Sequence, residues 1–227
     1  MFFFYDPTFL LLIPAIILAV YAQYKVKSTY AKYAKIPTAS GLTGAFAGRK
    51  LLNDAGLYNI PVEPIPGELS DNYNPRDKTL HLSQGVYGSN SVAAIGIAAH
   101  EVGHAIQDAR SYAPLKLRNN IVPVANFGTT LAFPLFFIGF LFAWPVLMDI
   151  GIIAFSLAVA FTVITLPVEF NASRRAIKIL SSGGYLTQDE LSQAKKVLGA
   201  AALTYVAATA MAVMNLLRLL ILRGSRD

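Results

Sequence analysis

The sequence predicts a mainly α-helical integral membrane protein, with about three to four transmembrane helices and one small α+β domain. Three observations predict it. Apolar residues make up 55% of the 227-residue chain, charged residues only 14%, and the mean hydropathy is +0.49. That is the composition of a membrane chain. The apolar residues gather into runs long enough to cross a hydrocarbon core, which takes ~20 helical residues. Between the first run and the next, residues 36–119 carry prolines, turn residues and β-like alternation instead. The net charge of +6 comes from Lys and Arg beside the apolar runs rather than from a basic patch with interleaved aromatics. It reads as a topology signal, not as nucleic-acid binding. The absence of cysteine excludes disulfides and thiolate metal sites.

Phe2–Ala22 is apolar but for Asp6 and reads as a retained anchor, the first of five segments, ending at residue 24. It has no basic leader region and no small-residue cleavage site. Lys25, Lys27, Lys32 and Lys35 follow it, so the positive-inside rule puts the N-terminus outside and residues 25–119 in the cytoplasm. Within that domain Ser40 is expected to cap a helix through Leu52, ended near Gly56. A short strand is expected around Val62 and a turn over Ser70–Pro75. Lys78–Ser83 alternates like an edge strand that an extended peptide can join. Asn90 and Ser91 cap the helix that follows. Ile121–Val168 holds one charged residue, Asp149, and has the length of a transmembrane hairpin (residues 120–168) turning near Trp144-Pro145. Lys116 and Arg118 before it and Arg174, Arg175 and Lys178 after it keep both its ends cytoplasmic. Val168–Leu180 reads as a helix leaving the membrane, stopped at Gly183-Gly184, within a segment of residues 169–196. There Thr187-Gln188-Asp189-Glu190 forms a capping box. The last segment, residues 197–227, is apolar from Val197 to Leu217 and long enough for a fourth span. That crossing would carry Arg218, Arg223 and Arg226 outside, against the charge rule, so an Ala-rich helix packed on the catalytic domain, or a segment that dips in and returns, stays open as an alternative.

The chemistry concentrates in His100-Glu101-Val102-Gly103-His104. Imidazoles four residues apart project from one helix face and can bind one Zn²⁺. Glu101 lies beside them, placed to take a proton from a metal-bound water. The chain has 3 His, and burying two of them with a Glu among Ala, Ile and Val is costly without a metal. Gly96 and Gly103 each cost about 1 kcal/mol inside a helix, so another backbone is expected to pack close there. A catalytic zinc takes a third protein ligand. Asp108 lies about 12 Å along the helix axis from His100, too far to share its metal, and suits an outer role. His81 is read chiefly as a strand residue at the substrate or the surface, and Glu63, Glu68 and Asp71 are candidates on residue type alone. Glu169 is favoured, because a carboxylate at the mouth of a span needs a reason. The competing reading is a helix-start acid favoured by the dipole.

The His100–His104 stretch, two spans, and then Glu169-Phe170-Asn171-Ala172-Ser173-Arg174-Arg175-Ala176 resemble the neutral zinc metallopeptidase family of bacterial membranes. Leu69–Tyr73, Thr79–Ser83 and Ala113–Arg118 fit that family too, so the likeness covers roughly residues 30–215. The order of parts is similar, more distantly, to gluzincin membrane proteases, where a hairpin also separates the two-histidine helix from a ligand Glu. The resemblance implies a zincin-like domain, His100, His104 and Glu169 as ligands of one Zn²⁺, and Glu101 as general base. The distant family carries an Asp four residues after that Glu. Here Ser173 stands there, so support for the ligands is expected to be weaker or to come from another residue such as Asp108. The expected function is a multi-pass zinc metalloendopeptidase of the bacterial plasma membrane, with its active site facing the cytoplasm. It would cleave peptides or membrane proteins within the setting of a lipid bilayer. Arg174, Arg175, His81 or a tyrosine are candidates to meet the oxyanion or the substrate. The alternatives are a zinc sensor or transporter without proteolytic activity and a silent membrane scaffold. A transporter calls for ionisable groups in several spans, which the sequence does not display.

Overall fold

The computed structural model describes residues 7–225; Phe2–Asp6 of the expected anchor, and Arg226, lie outside the described residues. A 3₁₀ segment, Pro7–Leu12, leads into α1 (Ile13–Tyr33). There follow α2 (Gly44–Asp54), β1 (Val62–Ile65), β2 (Asn72–Asn74), β3 (Thr79–Ser83), the short α3 (Gln84–Tyr87) and α4 (Val92–Ala109). Three long helices complete the chain: α5 (Ala113–Leu141), α6 (Pro145–Ser182) and α7 (Gln188–Gly224). Four helices are long and apolar enough to cross a membrane: Pro7–Tyr33, Ala113–Leu141, Pro145–Ser182 and Gln188–Gly224. The C-terminal helix therefore has the length and composition of a fourth span.

The chain forms two compact units. One comprises residues 1–23, 116–167 and 204–227; the other comprises residues 24–115 and 168–203. In the first unit, Phe136, Met148 and Leu219 are fully buried with Ala132 and Phe155 around them. Phe127, Leu141, Phe142, Val146 and Ile153 face outward, as lipid-facing side chains of a membrane-spanning helix do. Two side-chain contacts of this unit lie near helix ends. Arg223 donates to Asp149 through Nε at 2.8 Å, and Arg218 Nε donates to Thr8 Oγ1 at 3.2 Å. The last turns of α7 thus meet the first turns of α6 and of the N-terminal helix. The Arg223 charge that argued against a fourth crossing is offset by Asp149.

The second unit is built on a three-stranded sheet of order β1-β3-β2. β1 runs parallel to β3, with Val62 opposite Leu80, and β2 runs antiparallel to it, with Asn72 opposite His81. The strand over Thr79–Ser83 is therefore central, not an edge that a peptide can join. Its burial explains why: Leu80, Leu82 and Ser83 are fully buried and Thr79 nearly so, so both faces are covered and both edges paired. The segment expected as a turn carries β2, because buried Tyr73 supplies an inward side chain amid turn-forming neighbours. Helix α2 starts at Thr43, whose hydroxyl accepts from Phe46 N, and not at Ser40, whose hydroxyl faces that of Thr38.

The core of this unit joins Leu51 and Leu52 of α2, Leu80 and Leu82 of β3, Ile95 and Val102 of α4, Leu180 of α6 and Leu198 of α7. The start of α4 is tied to the segment after α1 by Val92 N→Ile36 O and Thr38 N→Asn90 O, both 2.9 Å. The expected capping box forms: Thr187 N donates to Glu190 Oε2 at 2.8 Å and Glu190 N to Thr187 Oγ1 at 3.3 Å. No separate helix starts at Val168. α6 continues unbroken with Pro167 inside it. Proline removes one N–H from the ladder but its φ is helical, so the helix loses a hydrogen bond and not its course.

Candidate metal centre

The site grows from α4. Ser91 caps it by accepting from Ala94 N at 3.2 Å, and from Val92 to Gln107 the helix is buried almost all round. On this helix the His100 and His104 rings lie with centroids 4.8 Å apart, edge to face. Gly103 lies between them in sequence and lets α6 approach. A Cβ at Gly103 would stand 2.6 Å from Ala172 O, closer than such atoms come, whereas one at Gly96 would meet Ala194 Cβ at an ordinary 3.5 Å. The close backbone expected at these glycines is α6 at Gly103, while at Gly96 α7 lies only at ordinary contact distance, with Ala194 Cα at 3.8 Å.

This approach brings Glu169 to the imidazoles from the middle of α6, which removes the helix-start reading of that acid. Glu169 is 2% exposed, and its Oε2 lies 3.2 Å from His100 Nε2 and 3.5 Å from His104 Nε2. Among the described residues these three side chains are the group able to hold a metal, each offering one atom within 4.8 Å of the others. Tetrahedral zinc with arms of about 2.0–2.2 Å has ligand-to-ligand edges of about 3.3–3.6 Å. Both carboxylate-to-imidazole distances are close to such an edge, and two imidazoles with a carboxylate are a donor set that zinc takes.

The far nitrogens of both rings are held. His104 Nδ1 lies 3.0 Å from Gln107 Oε1, and Gln107 Nε2 donates to Val168 O at 2.8 Å and Asn171 Oδ1 at 3.0 Å. Two acceptors at one end of the amide fix its orientation. Its oxygen therefore faces His104, Nδ1 carries the proton, and Nε2 presents a lone pair. On His100, Nδ1 lies 3.1 Å from Ser173 Oγ, which leaves Nε2 for a metal when Nδ1 carries the proton. The support expected to be weaker at Ser173, or to come from another residue, is given to His100 by Ser173 itself and to His104 by Gln107. Asp108 does not reach the ligands; its Oδ2 accepts from the Tyr73 hydroxyl at 2.9 Å.

Glu101 stands outside the ligand group. It is 8% exposed, and its Oε2 accepts from Tyr73 N at 3.0 Å. Burial pushes its carboxyl up to about 7; His100 opposes this, the carboxylates of Glu169 and Asp71 add to it, and the Tyr73 N–H pulls it back. Asp71 is itself raised by burial and partly restored by the N–H and hydroxyl of Ser83.

The remaining candidates lie apart from this group. His81 pairs loosely with Asp77, 3.8 Å away. Arg174 is exposed and donates to Phe170 O on its own helix. Arg175 donates to Asn171 Oδ1 at 2.7 Å and lies over the Tyr112 ring. Glu63 and Glu68 are exposed. Two residues of the network escaped the sequence reading, Gln107 and Asn171. Gln107 had a legible signal: a polar side chain on an apolar helix, three residues after His104, at a spacing where side chains meet.

The family model described as "Putative neutral zinc metallopeptidase" matches residues 8–224. The chain is 48% identical over 218 residues to the "Putative membrane protease YugP" of Bacillus subtilis (strain 168), covering 96% of this chain and 97% of that protein. No solved structure matches it.

Proposed function

Because the chain belongs to the "Putative neutral zinc metallopeptidase" family, we propose that it is a membrane-bound zinc endopeptidase acting on peptides or membrane proteins at the cytoplasmic face. One observation carries this reading. Three donor atoms from α4 and α6 converge within 4.8 Å of one another, the carboxylate 3.2 and 3.5 Å from the two imidazoles, with a buried carboxylate outside the group on the residue next to His100.

His100, His104 and Glu169 would hold the ion. Zinc, when bound, supplies a Lewis acid that polarises a scissile carbonyl and acidifies water. The rest falls to the chain's own groups. Tyr73 N–H holds Glu101 Oε2 and fixes the carboxylate, one oxygen of which takes the proton from water. The same oxygen then delivers that proton to the leaving amine nitrogen. A carboxyl raised by burial accepts a proton near neutral pH and gives it back readily, the balance a general acid–base needs. Gln107 and Ser173 keep the imidazoles turned so that their Nε2 atoms face Glu169.

The test is Glu101→Gln in the purified full-length protein, with zinc content and hydrolysis of a membrane-protein substrate measured together. Zinc content stays as in the wild type and hydrolysis is lost. Turnover surviving the substitution rules out Glu101 as the base. A sensor or transporter predicts unchanged zinc traffic in the same variant and no hydrolysis in either protein.

A further inference from the structure

A cavity of about 540 Å³ lies between α1 and α7, wholly within the second unit. Its lining includes Lys25, Ser28, Thr29 and Lys32 from α1 and Lys196 and Gly199 from α7, and no carboxylate. Three cations around one hollow repel one another, and a polyanion relieves that repulsion. Hydroxyls of Ser28 and Thr29 add donors beside the ammonium groups. Thr29 is 9% exposed and its hydroxyl has no partner among the described residues. A Cβ at Gly199 would meet nothing within 4 Å, so the hollow is open on that side.

The same face of α1 is apolar on the N-terminal side of the lysines. Ile17, Tyr21 and Tyr24 are 63%, 51% and 70% exposed. At about 100° per residue they share a sector roughly 100° wide with Lys25, Ser28 and Lys32. One continuous helix therefore presents an apolar stripe that turns basic and hydroxyl-rich at its end. That sequence of chemistries matches a molecule with an acyl chain and a negatively charged phosphate head, and a free phosphate has no use for the stripe.

We propose that this cavity binds the phosphate of an anionic phospholipid, with Lys25, Lys32 and Lys196 as its charge partners. The site is distinct from the metal centre and does not rest on the peptidase reading. Native mass spectrometry of the delipidated full-length protein, titrated in separate arms with phosphatidylglycerol, phosphatidylcholine and inorganic phosphate, tests it. Wild-type protein retains one phosphatidylglycerol in preference to phosphatidylcholine. The Lys25→Gln, Lys32→Gln, Lys196→Gln triple variant binds phosphatidylglycerol about tenfold more weakly or worse, with zinc content unchanged, while the triple Arg variant binds as the wild type does. Gly199→Leu, which grows into open space, blocks the lipid without removing a charge. Wild-type affinity in both the triple Gln and the Gly199→Leu variants overturns the proposal. Displacement of the lipid by equimolar inorganic phosphate overturns the lipid assignment in favour of a free phosphate.

Discussion

At Gln107 the side-chain amide satisfies all its neighbours in one arrangement, nitrogen toward Val168 O and Asn171 Oδ1, oxygen toward His104 Nδ1. Replacing it by Leu leaves a buried Nδ1–H without an acceptor and frees the ring to turn. We expect Gln107→Leu to weaken zinc binding about 10- to 100-fold in a competitive chelator titration. Ser173 allows a paired test: Ser173→Ala should loosen zinc, and Ser173→Asp should tighten it beyond the wild type, because a carboxylate makes the imidazole a better donor. Glu101 carries a pH prediction. Its metal-free carboxyl, raised from 4.5 to about 7 by burial, holds its proton in the folded state across that interval while the unfolded chain has released it. Fewer protons are bound in the unfolded state, so this group makes the metal-free fold less stable as pH rises from about 4.5 to 7. Isotope-edited infrared spectra of the carboxyl band should show its midpoint near 7 without metal, and lower once zinc adds positive charge beside it.

Between elements, the contact that matters is α4 against α6 at Gly103 and Ala172. Gly103→Ala puts a methyl against a backbone carbonyl that neither helix can move locally. The helices must separate, and Glu169 retreats from both imidazoles. Expected effects are about 1–3 kcal/mol lost from thermal stability in detergent and a matching fall in zinc affinity. Gly96→Ala, facing only Ala194 at contact distance, should leave zinc unchanged and hold or raise stability. Thr187→Ala removes one half of the capping box at the start of α7 and should cost about 1 kcal/mol. Of these features the sequence displayed the capping box and the glycines, since both follow from local chemistry. It misread β2 and the edge status of β3. Three residues with turn propensities become a strand only when a partner such as Leu80 lies alongside, and sequence-local patterns carry no information on partners.

For the whole molecule, the proposed topology places the turn between α5 and α6 and the end of α7 outside, and residues 25–115 inside. The chain has no cysteine, so single substitutions report position cleanly. Cysteines at Phe142 and Ser225 should react with an impermeant maleimide in intact cells, and one at Tyr58 only after lysis. Labelling of Ser225→Cys only after lysis would remove the fourth crossing. In that topology the Asp149–Arg223 pair would offset one charge carried against the charge rule, and Asp149→Asn should shift part of the population to a C-terminus inside.

The sequence by itself determined the helical membrane class, the two-histidine helix and Glu169 as a candidate third donor. Each depends on the amount, period or spacing of residue types along one stretch of chain. Only the tertiary structure decided which atoms orient the imidazoles, which strand is central, and that Glu169 sits inside an unbroken helix. Those depend on which segments lie side by side, and a close approach such as that of Gly103 to Ala172 joins residues far apart in sequence. A hydrogen bond acts over about 3 Å of space, and separation along the chain does not measure that distance.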